Sequence, residues 1–258
     1  MNDYTAKKSL GQHFLTDSHI TQKIIESFSP SPLEVVLEIG PGKGVLTEYL
    51  FQRYGDVVYV CDIDERSISY LKKKYPERSR QLIQADIMQL DFDLHFGQKQ
   101  VSVIGNFPYN ISTQIIFKLL EEKYRVPLII GMFQKEVAKR FAASHGNKEY
   151  GITTVLLQAY YDVQYLFDVS PESFSPPPKV TSGVIEITRK VTQPKILHEE
   201  LFIKMIKAGF NMRRKTLRNA LAVLGLKFEI KHQEILTKRA EQLSVEDWIL
   251  FANEMTKQ

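Results

Sequence analysis

Residues 34–50 read EVVLEIGPGKGVLTEYL. An apolar, β-branched run (Val35, Val36, Leu37, Ile39) meets three closely spaced glycines, Gly40, Gly42 and Gly44, and then a segment of helical period from Val45 onward. A strand that passes through a glycine turn into a helix is the opening unit of a parallel α/β sheet. Glycine lets the backbone turn sharply and lets a ligand approach it with no side chain in the way. In an open α/β fold such a turn lies at the carboxyl end of the sheet, where ligands bind.

Outward from this stretch the alternation continues. VVYVCDID (57–64), RQLIQADIM (80–88), QVSVIGNFPY (100–109) and PLIIGMFQ (127–134) have the length and composition of strands. Helical candidates lie at 43–54, 65–75, 112–124 and 135–144. Near-continuous apolar strands fit a sheet covered on both faces. Farther on, YYDVQYLFDVS (160–170) and SGVIEITRK (182–190) read as a terminal strand pair joined by the proline-stiffened PESFSPPPKV. From about residue 195 the chain reads as helical, with Ser244 before Val245-Glu246-Asp247 as an N-cap followed by first-turn acids. The expected organisation is an α/β domain over 1–192 and a small all-helical domain over 193–258, with a linker near VTQPKI (191–196).

The composition, 43% hydrophobic and 25% charged over 258 residues, is that of a globular protein. A formal net charge of +4 permits a nucleic-acid partner without requiring one. A single cysteine, Cys61, excludes an intrachain disulfide and fits a reducing compartment. MNDYTAKKSLGQHFL lacks the apolar core of a signal peptide, and no run approaches the roughly 20 apolar residues of a membrane span. A soluble, cytoplasmic protein is expected, with no membrane partner. The six histidines are scattered, and Asp91 and Asp93 read as solvated turn residues, so no metal site is expected.

Two ligand classes suit the glycine turn. A dinucleotide calls for G-x-G-x-x-G, with its pyrophosphate on the helix N-terminus. Here the spacing is G-x-G-x-G, and Glu38 stands just before it. A carboxylate there repels a pyrophosphate but suits a cationic amino-acid moiety. S-adenosylmethionine carries both an ammonium and a sulfonium. Asp62, ending the second strand, can accept both ribose hydroxyls. Asp86, ending the third, can accept from an adenine amine.

The fourth strand ends in Asn106-Phe107-Pro108-Tyr109, which holds no nucleophile, strong acid or metal ligand. The Asn106 amide oxygen and the Phe107 carbonyl are hydrogen-bond acceptors. Pro108 restricts Phe107 to an extended shape that would set the two side by side. Two adjacent acceptors match the two hydrogens of an amino group, and Tyr109 offers a stacking face for a base. This suits alkylation of an exocyclic amine by a donor that is itself reactive, where positioning and electrostatics carry the catalysis.

KSLGQHFL, EIGPGKGVLT, QADIM, GNFPYNIST, QKEVAKR and FSPPPKV occur here in one order along the whole chain. In this the sequence resembles the ribosomal RNA adenine dimethyltransferases, and within them the bacterial small-subunit branch associated with kasugamycin sensitivity. The resemblance implies a class I S-adenosylmethionine-dependent methyltransferase fold, Rossmann-like, with a seven-stranded mostly parallel sheet and one antiparallel strand. It implies dimethylation of the N6 amines of two adjacent adenosines in the 3′-terminal hairpin loop of 16S rRNA, within an immature 30S subunit, by a monomeric enzyme that aids subunit biogenesis. By motif position it implies cofactor contacts from His13, Leu15, Glu38, Gly40, Gly42, Asp62, Asp86 and Asn106. His13 stands where many bacterial members carry Asn. The matching catalytic residues are Asn106, Phe107, Pro108 and Tyr109, with Phe174 as an aromatic clamp for a flipped adenine. Phe107 replaces the commoner Leu, Ile or Pro, a change that a role for its carbonyl alone would tolerate.

The cluster NMRRKTLRN (211–219) places Arg213, Arg214, Lys215 and Arg218 on about two helical turns, a candidate phosphate-binding surface. QKEVAKRF (134–141) is a weaker candidate of the same kind. Two rival functions share the fold: the resistance-conferring 23S rRNA adenine methyltransferases, and non-catalytic assembly factors. The intact Asn106-to-Tyr109 motif speaks against the second.

Overall fold

The structure is a computed structural model that describes residues 6, 7 and 10–255. Residues 1–5, Lys8 and Ser9 of the KSLGQHFL motif, and residues 256–258 lie outside it. In chain order the elements are β1 (Phe14–Leu15), α1 (Ser18–Ser27), β2 (Val35–Ile39), α2 (Val45–Tyr54), β3 (Val58–Asp62), α3 (Glu65–Lys74) and β4 (Leu82–Gln84). Next come α4 (Phe92–Phe96), β5 (Val101–Asn106), α5 (Ser112–Glu121), β6 (Leu128–Gln134), α6 (Lys135–Phe141) and α7 (Ile152–Tyr160). The chain continues through β7 (Tyr161–Val169), β8 (Phe174–Ser175), β9 (Ser182–Arg189), α8 (Glu199–Asn211), α9 (Leu217–Leu221), α10 (Gln233–Thr237) and α11 (Val245–Glu254).

Seven strands form one sheet in the order β4-β3-β2-β5-β6-β9-β7. The neighbours from β4 to β6 are parallel, and β9 runs antiparallel to β6. Every residue of β2 is buried, as its unbroken apolar run requires of a strand covered on both faces. Strand order reverses at β2, which has β3 on one side and β5 on the other. The crevice at such a reversal is where open α/β sheets hold ligands. Parallel pairing of Glu38 with Ile104 brings the glycine turn after β2 alongside Asn106 at the end of β5.

Close packing fixes the end of β5. Gly105 and Gly131 are register partners on β5 and β6. A Cβ on Gly131 would stand 2.4 Å from the Phe133 ring and 2.6 Å from the Phe107 ring; one on Gly105 would meet the Ile39 carbonyl at 2.5 Å. The fully buried Phe107 ring fills the space these glycines leave, 5.1 Å from the Phe133 centroid.

A second, two-stranded sheet was not foreseen. β1 pairs antiparallel with β8, setting Leu15 opposite Phe174, and the Thr16 amide donates to the Ser173 carbonyl at 2.8 Å. The proline-rich loop is thereby fastened beside residues 13–15.

The described residues up to Ala138, with Gln164–Arg189, form one compact unit. Lys139–Val163 and the residues from Lys190 onward form the other. The boundary expected at 192/193 therefore falls at 189/190, and residues 139–163 belong with the helical unit. They hold α7, whose aliphatic sequence runs straight into β7 with no intervening breaker and so carries no boundary signal. Within the helical unit Tyr150, Phe210 and Trp248 pack ring to ring at 5.9 and 6.1 Å. Ser244 caps α11 as expected, reciprocated by Asp247, each bond 3.0 Å. The third strand is shorter than read: it ends at Gln84, and Asp86 instead caps a short turn by accepting the Met88 amide at 2.9 Å. Asp91 likewise caps α4.

Gly131→Ala should lower stability by about 1–3 kcal/mol, because two packed rings must move to admit one methyl group. Urea unfolding should show a lower midpoint with an unchanged slope.

Candidate active site

A cleft of about 260 Å³ lies at the carboxyl ends of β2, β3, β4 and β5, with the segment 10–15 along it. His13, Leu15, Glu38, Gly40, Gly42, Asp62, Asp86, Asn106, Phe107, Pro108 and Tyr109 all line it. Eleven residues chosen from separate motifs thus meet in one cavity. Gly40 and Gly42 have φ of +72° and +56°, the left-handed region that a β-carbon disfavours. A Cβ on Gly42 would also strike the Phe14 ring at 2.7 Å.

The acids of the cleft are of two kinds. Glu38 is buried, and burial raises its pKa to about 8; the Asp62 charge adds to the rise, and the hydrogen bond from Thr47 Oγ1 (2.6 Å) opposes it. Burial likewise raises the pKa of Asp62, against hydrogen bonds from the Asp64 amide (2.9 Å) and from Ser67. Among the described residues no lysine or arginine pairs with either. Two buried carboxylates without a counter-cation are a donor set suited to a cationic ligand. Their chemistry, with the glycine turn beside them, fits S-adenosylmethionine: Glu38 for its ammonium end and Asp62 for its ribose. Asp86 is half-buried, with one oxygen committed to Met88. Cys61 also lines the cleft, its thiol pushed up to about 12 by burial and by Asp62 and Asp86, which makes it an inert packing residue.

At the end of β5, Asn106 Nδ2 donates to the His13 carbonyl at 2.9 Å. Because a carbonyl only accepts, this bond assigns the amide: the nitrogen is held by the segment 10–15, and Oδ1 is left as an acceptor. The Phe107 ring is packed into the sheet core and cannot also stack on a base. Tyr109 is held through its hydroxyl by Ser182, and its ring stacks on His13 with centroids 5.5 Å apart. His13 Nδ1 in turn lies 2.9 Å from the Pro176 carbonyl.

Other expected residues are placed elsewhere. Phe174 does not line the cleft; its ring is buried in the apolar core with Leu15, Ile24 and Val184. The pairing of β8 with β1 turns it inward, and a clamp would require it to leave that core. Arg213, Arg214 and Lys215 do not continue a helix, because α8 ends at Asn211 and α9 starts at Leu217. Arg213 is engaged with Glu241 (3.3 Å) and the Asn147 carbonyl (3.0 Å), and Arg218 donates to Gln233 Oε1; Arg214, Lys215 and Arg218 are exposed. Lys135 of the weaker cluster pairs with Asp168. Gln12, Lys43, Met88 and Asn110 line the cleft without having been singled out. Each sits within or next to a quoted motif, which was the available signal.

The family model described as ribosomal RNA adenine dimethylase matches residues 4–257. The chain belongs to that family. A ribosomal RNA small subunit methyltransferase A from Cytophaga hutchinsonii is 50% identical over 98% of each chain. A dimethyladenosine transferase structure from Plasmodium falciparum aligns with a TM-score of 0.77 at 27% identity, covering 92% of this chain and 94% of that one. The structure of the 23S rRNA methyltransferase ErmE shares the fold, with a TM-score of 0.72 at 22% identity over 91% and 96% of the two chains.

The protonation of Glu38 has a measurable sign. A carboxyl raised from its ordinary value to about 8 binds more protons folded than unfolded across that window. Its contribution to stability is full below the unfolded pKa and is lost as pH rises toward 8. The ligand-free protein should lose stability to urea between about pH 5 and pH 8, and Glu38→Gln should flatten that fall.

Proposed function

We propose that this chain transfers methyl groups from S-adenosylmethionine to the N6 amines of two adjacent adenosines in the 3′-terminal hairpin loop of 16S rRNA. It does so as a monomer, on an immature 30S subunit in the cytoplasm. The observation that carries the proposal is the fixed Asn106 amide, held by the His13 carbonyl with Oδ1 as acceptor, in the same cleft as the buried Glu38 and Asp62. The relative that is 50% identical bears a small-subunit name, whereas the 23S enzyme stands at 22%, which favours the 16S substrate. No helix among the described residues is long and apolar enough to cross a membrane.

The cofactor, when bound, supplies a methyl group on a sulfonium, a carrier that departs readily. The chain's own residues supply placement. In the first transfer Asn106 Oδ1 and the Phe107 carbonyl accept the two hydrogens of the adenine amine; in the second, one of them accepts the single hydrogen that is left. That draws the nitrogen's lone pair out of conjugation with the ring and aims it into the cleft. No strong base is required, since the nitrogen becomes acidic once alkylated and its proton can pass to water. Tyr109 is braced by Ser182, and His13 covers one face of its ring, so an incoming base stacks on the other. Glu38 and Asp62 balance positive charge in a water-poor setting, where fixed dipoles count for more than in water.

Arg214, Lys215 and Arg218, with Arg213 as a partly engaged neighbour, are the proposed phosphate contacts of the helical unit. Contacts of this type position the RNA, and the cleft selects the base.

Asn106→Ala should lower methyl transfer by about 100-fold or more while cofactor binding stays measurable. Unchanged turnover would end the two-acceptor mechanism. Replacing Arg214, Lys215 and Arg218 together by Ala should weaken small-subunit binding and lessen its salt dependence by about two to three units of slope. Radiolabelled transfer onto undermethylated small subunits, mature ribosomes and protein-free 23S RNA tests the substrate. Label on the first alone is expected, and label on 23S RNA alone would establish the rival.

A further inference from the structure

The segment 10–15 is held against the cleft by two kinds of contact. One is steric: Gly11 (φ +63°) lies so close to Asn110 that a Cβ would stand 2.7 Å from its Oδ1, and the Phe14 ring rests against Gly42. The other is polar and specific. Gln12 Nε2 donates to Asp64 Oδ2 at 3.0 Å, while Gln12 Oε1 accepts the Lys7 amide at 2.9 Å. With both ends engaged, the Gln12 amide has a defined orientation.

Asp64 is a rigid anchor. Its side chain is 2% exposed, it caps α3 through the Arg66 amide at 3.2 Å, and it grips the Arg66 guanidinium at 2.6 Å. Its own amide donates to Asp62 at 2.9 Å. Burial alone would raise its pKa, but the hydrogen bonds from Arg66 and Gln12 outweigh burial and hold the carboxyl below the ordinary range. The acceptor facing Gln12 is therefore a carboxylate. One residue farther along the segment, the His13 carbonyl takes the Asn106 Nδ2 hydrogen at 2.9 Å.

We infer that Gln12 is a positioning residue for the catalytic amide: its hydrogen bond to Asp64 places the neighbouring His13 carbonyl so that Asn106 presents Oδ1 to the substrate amine. The inference rests on the proposed adenine chemistry and extends it to a side chain that meets neither base nor methyl group. It also joins the two halves of the cleft. The Asp64 that receives Gln12 also orients Asp62 on the ribose side, and the segment that Gln12 begins orients Asn106 on the base side.

The polarity of the pair makes the test sharp. Gln12→Glu sets a carboxylate against the Asp64 carboxylate. Asp64→Asn keeps its oxygen on the α3 cap, an exchange that N-caps tolerate, and turns an amide donor toward the Gln12 donor; because the same oxygen also accepts Arg66 Nη2 at 2.6 Å, every protein of the series carries Arg66→Ala, and that single change serves as its wild type. Flipping Gln12 in response would set its nitrogen against the Lys7 N–H. In the double variant the new carboxylate at position 12 accepts from both the new side-chain amide at position 64 and the Lys7 amide, so the bond returns with donor and acceptor exchanged. Two readouts apply to wild type, both single variants and the double variant. The first is solvent hydrogen exchange of the Asn106 side-chain amide in the cofactor-free protein, followed by NMR and assigned by its loss in Asn106→Ala. The second is the single-turnover transfer rate at saturating S-adenosylmethionine and undermethylated small subunits, with cofactor Kd measured separately. Each single variant should exchange faster and transfer roughly 10- to 100-fold more slowly, and the double should recover to within about threefold of wild type on both. The inference is overturned if the single variants match wild type, if the double is no better than the singles, or if the loss lies wholly in cofactor Kd. Should wild type transfer no methyl group to the subunit, the proposed function fails, while the exchange measurements still decide whether Gln12 sets the Asn106 amide.

Discussion

Parallel pairing of β2 with β5 sets Glu38 level with Ile104, so the two strands reach the edge of the sheet together. One continues into the glycine turn and the other into Asn106. Every functional contact of the cleft depends on this adjacency, because neither turn can shift along its strand without moving a wholly buried row of side chains to the wrong register. The Phe107 ring locks the arrangement from beneath. It needs the missing side chains of Gly105 and Gly131, since a Cβ on either would stand within 3 Å of its ring. The bend at Asn106 therefore stands on close-packed, buried side chains, and a site held by rigid elements keeps its geometry.

The charge arrangement works against the empty protein. Glu38 and Asp62 are both buried, which disfavours the charge of each, and the Asp62 charge raises Glu38 further. An apolar pair at those positions would cost the fold less. Carboxylates in such surroundings are of use to a cation that arrives later. The strain of holding them is then the source of affinity for a positively charged ligand. Asp64, two residues beyond Asp62, shows the contrast: supplied with Arg66 and Gln12, it stays ionised without a ligand.

Much of this was legible in the sequence because it is local. The glycine turn, the acids at successive strand ends and the Asn106–Tyr109 bend each announce themselves within a few residues, and the alternation of strand and helix orders them. What escaped was non-local or unmarked. The pairing of β1 with β8 joins two-residue strands with no alternation to betray them. It turns Phe174 inward, which no count of aromatics near prolines reveals. The helix α7 was left unassigned, because its apolar run leads from Ile152 to Tyr160 and on into the strand with no stop signal. The short third strand misled for the opposite reason: Ile87 and Met88 extend its apolar pattern, but Asp86 captures the Met88 amide and bends the chain away. Gln12 stands within the KSLGQHFL motif, but its contact could not be read there because its partner, Asp64, lies 52 positions away.

The β1–β8 pairing also bears on the order in which the chain is made. His13 and Pro176, bonded in the finished fold, are 163 positions apart. A polypeptide emerging from its amino end has the glycine turn, the three acids and the Asn106 bend long before it has Ser173, Phe174 or Pro176. Through most of synthesis the segment 10–15 lacks the strand that fixes it, and long-range closures of this kind are slow to form. A nascent enzyme with the parallel strands already paired would thus hold an unfinished cleft. Competence for methyl transfer would come late, as one of the final contacts of the α/β unit to close.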